Sequence, residues 1–317
     1  MDALADRSAA ESHHYRHFLA GPQEDLGDTD RPLLLAVGNC QAESLRLLLD
    51  AGDVRTVQVP PLHDLRPVEV PVLQRWLTRT DLLVTPPVAP DYRGLPLGTE
   101  QLVAQLPGGA RTCRVPLVRY AGLHPWHLVV HPPGLPDPQP PVVAYHDVRV
   151  VAAAAWARAG RDRPEQAAPT TDGVLRVAAA SVAELARREQ AAGTVVLSDL
   201  LARPTADAMR TVNHPGNHLL APLAARVRAD LGLAALGPAV TRPLLTSVLA
   251  PLEDVVLAAH GLDAAPRPDW VLDGAPVPTA VVEEAQLAFY AARPDVLDVC
   301  LDRAREPAAA LGVALPD

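Results

Sequence analysis

Residues 31–50 read RPLLLAVGNCQAESLRLLLD. Positions 33–37 are apolar without interruption, Gly38-Asn39-Cys40-Gln41 breaks the run, and Leu45, Leu48 and Leu49 then recur at helical spacing before Gly52. An apolar run, a glycine turn and a segment of 3.6-residue period spell strand, tight loop and helix. That order puts Cys40 at a helix N-terminus beyond the carboxyl end of a strand, where open α/β sheets gather their ligands. The unpaired N–H groups and the dipole of the helix favour a thiolate there, and the thiolate is the nucleophilic form of cysteine. A small residue filling a tight turn gives the same pattern, and buried cysteine is common. The partners offered by the rest of the chain bear on that choice.

The alternation continues downstream. Residues 54–59 alternate as a second strand, 72–80 have helical spacing, 81–85 form a third strand stopped by Pro86-Pro87, and 99–106 a further helix. Residues 115–120 read as a fourth strand running into Ala121-Gly122-Leu123-His124-Pro125, so a histidine stands beyond a strand end as Cys40 does. Strands alternating with helices imply βαβ units, hence an α/β fold with a mainly parallel sheet and flanking helices. Helical spacing over 252–260, 278–292 and 294–311 adds a helical C-terminal region. The expected organisation is a mobile polar leader over 1–30, an α/β domain over 31–235 and a helical extension over 236–317.

Composition narrows the chemistry. With 49% hydrophobic and 21% charged residues the 317-residue chain is typical of soluble globular proteins. It has no lysine at all, which excludes pyridoxal-phosphate Schiff bases and the P-loop lysine; GxGxxG and GxSxG are missing too. A net charge of −9 argues against nucleic-acid binding through a general positive field. Cys40, Cys113 and Cys300 lie far apart without a CxxC pair, so neither a disulfide framework nor structural zinc is expected. Reduced thiols, a polar start and no apolar run of about eighteen residues point to a cytoplasmic protein without a membrane span.

A cysteine nucleophile needs a base within reach, often oriented by a third group. His214, in Asn213-His214-Pro215-Gly216-Asn217, is the first candidate, because a proline at a helix start fixes the backbone direction. His124 in GLHP is the second; which of them is the base stays open, and either can be structural. Gly38, Asn39 and Gln41, with the Cys40 N–H, offer an oxyanion hole, and Asn213 a further positioning group. The His124-x-x-His127-x-x-x-His131 spacing, with His146 and Asp147 beyond, matches no zinc signature, so no metal is expected.

GNCQ after a strand, then RYAGLHP, YHD, SD and RTVNHPGN before an amphipathic helix, resemble in that order the WcbI-type polysaccharide-biosynthesis enzymes, over about residues 32–235. The resemblance implies an α/β fold and a coenzyme A-dependent acetyltransferase of capsule or glycoconjugate assembly. It puts the GNCQ cysteine, here Cys40, in the active site and the histidine motifs at His124 and His214. Acetyl-CoA is then the donor and a sugar hydroxyl the acceptor. Donor phosphates are expected near helix N-termini and arginines such as Arg93 or Arg119, with His146 and Asn217 as further cofactor contacts. The Gly-Asn-Cys turn also stands where SGNH-type hydrolases carry Gly-Asp-Ser. That leaves a thiol esterase open, as well as a non-catalytic coenzyme A- or glycan-binding module; assembly as a homo-oligomer is open too.

Overall fold

In the computed structural model, which describes residues 7–22, 30–132, 134–165, 168–235, 237 and 240–316, the chain forms two units that interleave along the sequence. Residues 1–117, 186–197 and 217–245 make unit 1; residues 118–185, 198–216 and 246–317 make unit 2.

Unit 1 starts with two short helices, α1 (Ala9–His14) and α2 (Arg16–Ala20). There follow β1 (Leu33–Ala36), α3 (Cys40–Leu49), β2 (Arg55–Thr56), α4 (Val70–Leu77), β3 (Leu82–Thr85), α5 (Thr99–Val103) and β4 (Arg111–Arg114). The strands form one sheet in the order β2-β1-β3-β4 with every pair parallel, so the α/β fold expected from the alternation is the fold observed. All residues of β1 and β3 are buried. A parallel strand with no solvated side has no polar face to alternate with, which is why both read as continuous apolar runs.

Two expectations change here. The fourth strand pairs with β3 over Arg111–Arg114, not over 115–120; the apolar pattern of the latter reflects the burial of Val115, Val118 and Tyr120. The leader is the second. Residues 1–6 and 23–29 of it lie outside the described residues, but 7–22 pack onto unit 1. Phe18 is fully buried in the cluster with Leu73, Trp76 and Leu77, and its carbonyl accepts the Trp76 indole N–H at 2.9 Å. Burying one such side chain is worth about 1.5–3 kcal/mol, enough to dock a short segment of otherwise polar composition.

Unit 2 takes up the chain with β5 (His127–Leu128), β6 (His146–Asp147), α6 (Val148–Arg158) and α7 (Thr171–Ala192), whose last turns belong to unit 1. After β7 (Met209–Thr211) and β8 (His214–Pro215) the chain returns to unit 1 with α8 (Asn217–Asp230), which packs on α3 within that unit. The remaining elements are β9 (Val248–Leu249), α9 (Asp254–His260), β10 (Trp270–Leu272), β11 (Ala275–Val277), α10 (Thr279–Ala292) and α11 (Pro294–Leu311). The Val/Ala-rich α6 is buried at Val148, Val150, Val151, Ala152, Ala154, Ala155 and Trp156. A helix apolar over so much of its surface needs cover from several sides, and α10 and α11 supply it.

The C-terminal helices stand where their spacing puts them, yet they are no appendix. Tyr290, Leu297 and Cys300 share a core with Val130 and Val151. An antiparallel sheet, β11-β10-β9, also lies within the region read as helical. Among the described residues no helix is long and apolar enough to cross a membrane.

Candidate functional site

The turn before α3 is built from unit 1 alone. The Val37 N–H bonds the Val84 carbonyl at 2.8 Å, carrying the β1–β3 pairing to the foot of the turn. A Cβ on Gly38 would stand 3.0 Å from both Ala42 Cβ and Pro86 Cδ, and the Gly38 carbonyl accepts the Leu62 N–H at 2.7 Å. Glycine is there for space. Asn39 caps α3 from extended backbone (φ −98°, ψ −162°), its Oδ1 accepting the Gln41 N–H at 3.0 Å. Cys40 is the first helical residue and half-buried, whereas Cys113 and Cys300 are buried.

The thiolate expected at that helix end is not the resting form. Burial pushes the Cys40 thiol up, the N–H groups of Cys40 and Gln41 pull it down, and the nearby Asp64 carboxylate adds a smaller upward push. Burial wins, because a helix terminus contributes only about 0.3–1 kcal/mol, less than one pKa unit. A nucleophilic Cys40 therefore needs a base. The oxyanion hole is reduced too, since the Gln41 N–H is committed to Asn39. Asn39 Nδ2 makes no hydrogen bond among the described residues and is the donor left on that side chain.

In unit 2, β7 and β8 form a small antiparallel pair with an irregularity between Met209 and Thr211, and His214 lies opposite Thr211. Gly216 follows, its N–H bonded to the Ala208 carbonyl at 2.7 Å; a Cβ there would press into the Asp207 carbonyl oxygen. The His214 ring meets Tyr145 edge-on, with centroids 6.5 Å apart at 86°. Burial lowers its pKa, so the imidazole is neutral at pH 7 and able to accept a proton. Asn213 Oδ1 accepts the Tyr145 hydroxyl at 2.8 Å and the Thr211 hydroxyl at 3.1 Å.

His124 does not have the geometry of a base. It is fully buried, with Nδ1 2.9 Å from the Pro251 carbonyl and Nε2 3.3 Å from that of Met209, and burial brings its pKa down to about 4. Both nitrogens face backbone carbonyls, and the neutral ring has a single N–H to give to one of them, so neither nitrogen is turned to a substrate. His146, expected at the cofactor, is closed off as well. Its Nδ1 meets the Tyr290 hydroxyl at 2.6 Å and Cys300 Sγ at 3.3 Å, at zero exposure. Asn217, another expected cofactor contact, holds the Arg242 carbonyl and the Leu244 N–H at 2.9 Å each. Arg93 and Arg119 are exposed. Gly38, Asn39, Cys40, Gln41, Arg93 and Asn217 thus belong to unit 1, and Arg119, His124, His146, Asn213 and His214 to unit 2.

A family described as polysaccharide biosynthesis enzyme WcbI matches residues 33–236, a span that includes the GNCQ, GLHP, YHD and NHPGN motifs. The chain belongs to the WcbI family. A solved structure of WcbI, described as a novel polysaccharide biosynthesis enzyme and as native protein without a disulfide bond between coenzyme A and a cysteine, shares the fold. Its TM-score is 0.71 at 20% identity, over 88% of this chain and 98% of that one. No curated protein matches the sequence. Membership in the WcbI family makes the chain an enzyme of polysaccharide biosynthesis.

Unit 2 holds a cleft of about 220 Å³ that the motifs do not reveal. Asp147, the N-cap of α6, accepts the Arg149 N–H at 2.7 Å and pairs with its guanidinium, Nη2 to Oδ2 at 2.7 Å. Arg149 Nη1 bonds Glu253 Oε1 at 2.9 Å, and Glu283 lines the same space. The neighbouring Arg149 holds Asp147 below the usual carboxylate range, while burial and the charge of Asp147 raise Glu283. The Asp-x-Arg spacing at a helix start was the one local trace of this cluster. Glu253, 104 positions from Arg149, left none.

Proposed function

We propose that this WcbI-family chain is a coenzyme A-dependent acyltransferase, working with acetyl-CoA, that acylates a sugar hydroxyl in polysaccharide or glycoconjugate biosynthesis. The observation that carries the reading is Cys40 as first residue of α3, with the N-cap Asn39 beside it and the Cys40 and Gln41 N–H groups acting on its sulfur. The description of the similar WcbI structure, which names a disulfide bond between coenzyme A and a cysteine as one that this native form lacks, supports considering the donor at this residue.

In this reading the protonated Cys40 thiol gives its proton to neutral His214 as Sγ attacks the thioester carbonyl. The coenzyme A sulfur leaves with its bonding electrons and takes the proton from the imidazolium. The sugar hydroxyl then attacks the acyl-cysteine, giving its proton to His214, and the Cys40 thiolate leaves and is reprotonated. Asn39 Nδ2 and the Cys40 N–H are the donors for the oxyanion, where charge develops and a fixed donor is worth most. The raised Cys40 thiol favours a second route, in which Cys40 only hydrogen-bonds beside the thioester and His214 activates the sugar for direct attack.

Coenzyme A release from acetyl-CoA, followed with a thiol reporter over a panel of sugars, tests the proposal. Wild type is expected to release it with at least one sugar and Cys40→Ala to lose most of that rate. Equal rates for the two proteins would remove Cys40 from the chemistry. An acetylated Cys40, trapped by acid quench and found by mass spectrometry, separates the two routes. Coenzyme A should also raise the unfolding temperature, as a ligand of the native state does.

A further inference from the structure

The geometry points to a sugar-binding subsite in the unit 2 cleft, where Glu253, Glu283 and His127 accept hydrogen bonds from the hydroxyls of a single sugar ring. A count of donors and acceptors leads there. Gln286 is spent between the Asp147 N–H at 3.1 Å and the Tyr145 carbonyl at 3.0 Å, and the Thr279 hydroxyl donates to the Pro268 carbonyl at 2.7 Å. Arg149 gives three of its five N–H groups to Asp147 and Glu253. The acceptors are less committed. Glu283 makes no hydrogen bond among the described residues, and Glu253 bonds Arg149 through one oxygen.

His127 adds the buried one. Its side chain is 5% exposed and its Nδ1 has no hydrogen-bond partner. Burial brings its pKa down to about 3, so the ring is neutral and keeps one nitrogen as an acceptor; Nε2 stands 3.8 Å from Asp147 Oδ2. The ring is held between Trp270 at 4.8 Å and His124 at 5.9 Å. A buried acceptor left unsatisfied costs about 1–3 kcal/mol, and a donor from a ligand recovers that.

The shape selects among ligands. Carboxylates outnumber cations, which disfavours an anion. Among the described residues no three His, Cys, Asp or Glu side chains are placed to hold a metal ion, so the acceptors suit a ligand with several spaced donors. At about 220 Å³ the cleft lies below the roughly 300–1,000 Å³ of drug-sized sites and has room for one ring. Trp270 and Val282 give it an apolar wall. Hydroxyl donors around an apolar ring face are the chemistry of a sugar. The inference rests on the cleft and on the family's place in polysaccharide biosynthesis, and stands apart from acyl transfer.

Titration calorimetry on the full chain without acetyl-CoA, using glucose, galactose, mannose, glucosamine and methylammonium as probes, tests it. The expected result is saturable binding of at least one sugar, weakened about tenfold in Glu283→Gln, as for one lost charged hydrogen bond. No saturable sugar binding, or the same affinity in Glu283→Gln, overturns the subsite. Methylammonium binding as tightly as the best sugar also overturns it, in favour of a cation site. Glu253→Gln is a second probe; should it fail to fold by circular dichroism, Glu283→Gln decides alone, because Glu283 makes no hydrogen bond to lose. Sugar binding without any transferase activity would sink the acyltransferase reading and leave this one standing.

Discussion

Arg7 grips Glu69 with two nitrogens, Nε to Oε1 at 2.6 Å and Nη2 to Oε2 at 2.8 Å, and both side chains are closed off from solvent. The same guanidinium donates to the Asp64 carbonyl at 3.1 Å. It thereby joins the N-terminal segment to the loop whose Leu62 N–H bonds Gly38.

Removing one partner of such a pair strands a buried charge. Arg7→Met is expected to cost about 3–5 kcal/mol by urea denaturation, and the double variant Arg7→Met with Glu69→Leu to regain most of it. A single-variant loss under about 1 kcal/mol would show that the pair is not buried in solution.

Alkylation of the native protein should modify one thiol of the three, Cys40, since Cys113 and Cys300 are buried. Burial raises the Cys40 thiol, so its labelling rate is expected to reach half-maximum above the ordinary cysteine value of about 8.5. Peptide mapping identifies the site. A half-maximum below pH 8 would mean that the helix terminus outweighs burial after all.

Acid should unfold unit 2 through its histidines. Burial sets His124 and His146 at about 4 and His127 at about 3, below their unfolded value. The unfolded chain therefore takes up these protons first as the pH falls. Their stability contribution is whole above about pH 6.5 and is lost on the way to pH 4, at up to about 1.4 kcal/mol per pH unit for each histidine. Urea midpoints at pH 7, 6 and 5 measure the slope. His127→Gln should flatten it, and an unchanged slope would mean that His127 is accessible to protons.

Gly216→Ala would drive a methyl into the Asp207 carbonyl, a backbone atom that cannot turn aside. A loss at or beyond the top of the roughly 1–3 kcal/mol range for overpacking is expected, read from the thermal midpoint. Gly52→Ala, with nothing within 4 Å but φ at +86°, separates crowding from backbone strain. A Gly216→Ala chain as stable as wild type would mean that the β7–β8 turn relaxes freely.

Which parts of this were legible beforehand follows from how far each property reaches along the chain. The Leu33–Ala36 run, the Gly38-Asn39 turn and the α3 spacing are set by neighbours a few residues away, so strand, cap and helix could be read directly. The helices at Pro294–Leu311 and Thr279–Ala292 were legible by their period for the same reason. The fourth strand was misplaced because residues 115–120 and a paired strand both show buried apolar positions, and only pairing tells them apart.

The amino-acid sequence by itself determined the α/β class, the cysteine at the head of α3 and the polysaccharide-enzyme family, all of which rest on short-range order and motif spacing. Tertiary structure alone decided that burial raises the Cys40 thiol, that His124 and His146 are buried inside unit 2, and that Phe18 is core. It also decided that Asp147, Arg149, Glu253 and Glu283 share one cleft. Protonation, hydrogen-bond partners and burial depend on which distant segments desolvate a group, and no local pattern carries that information.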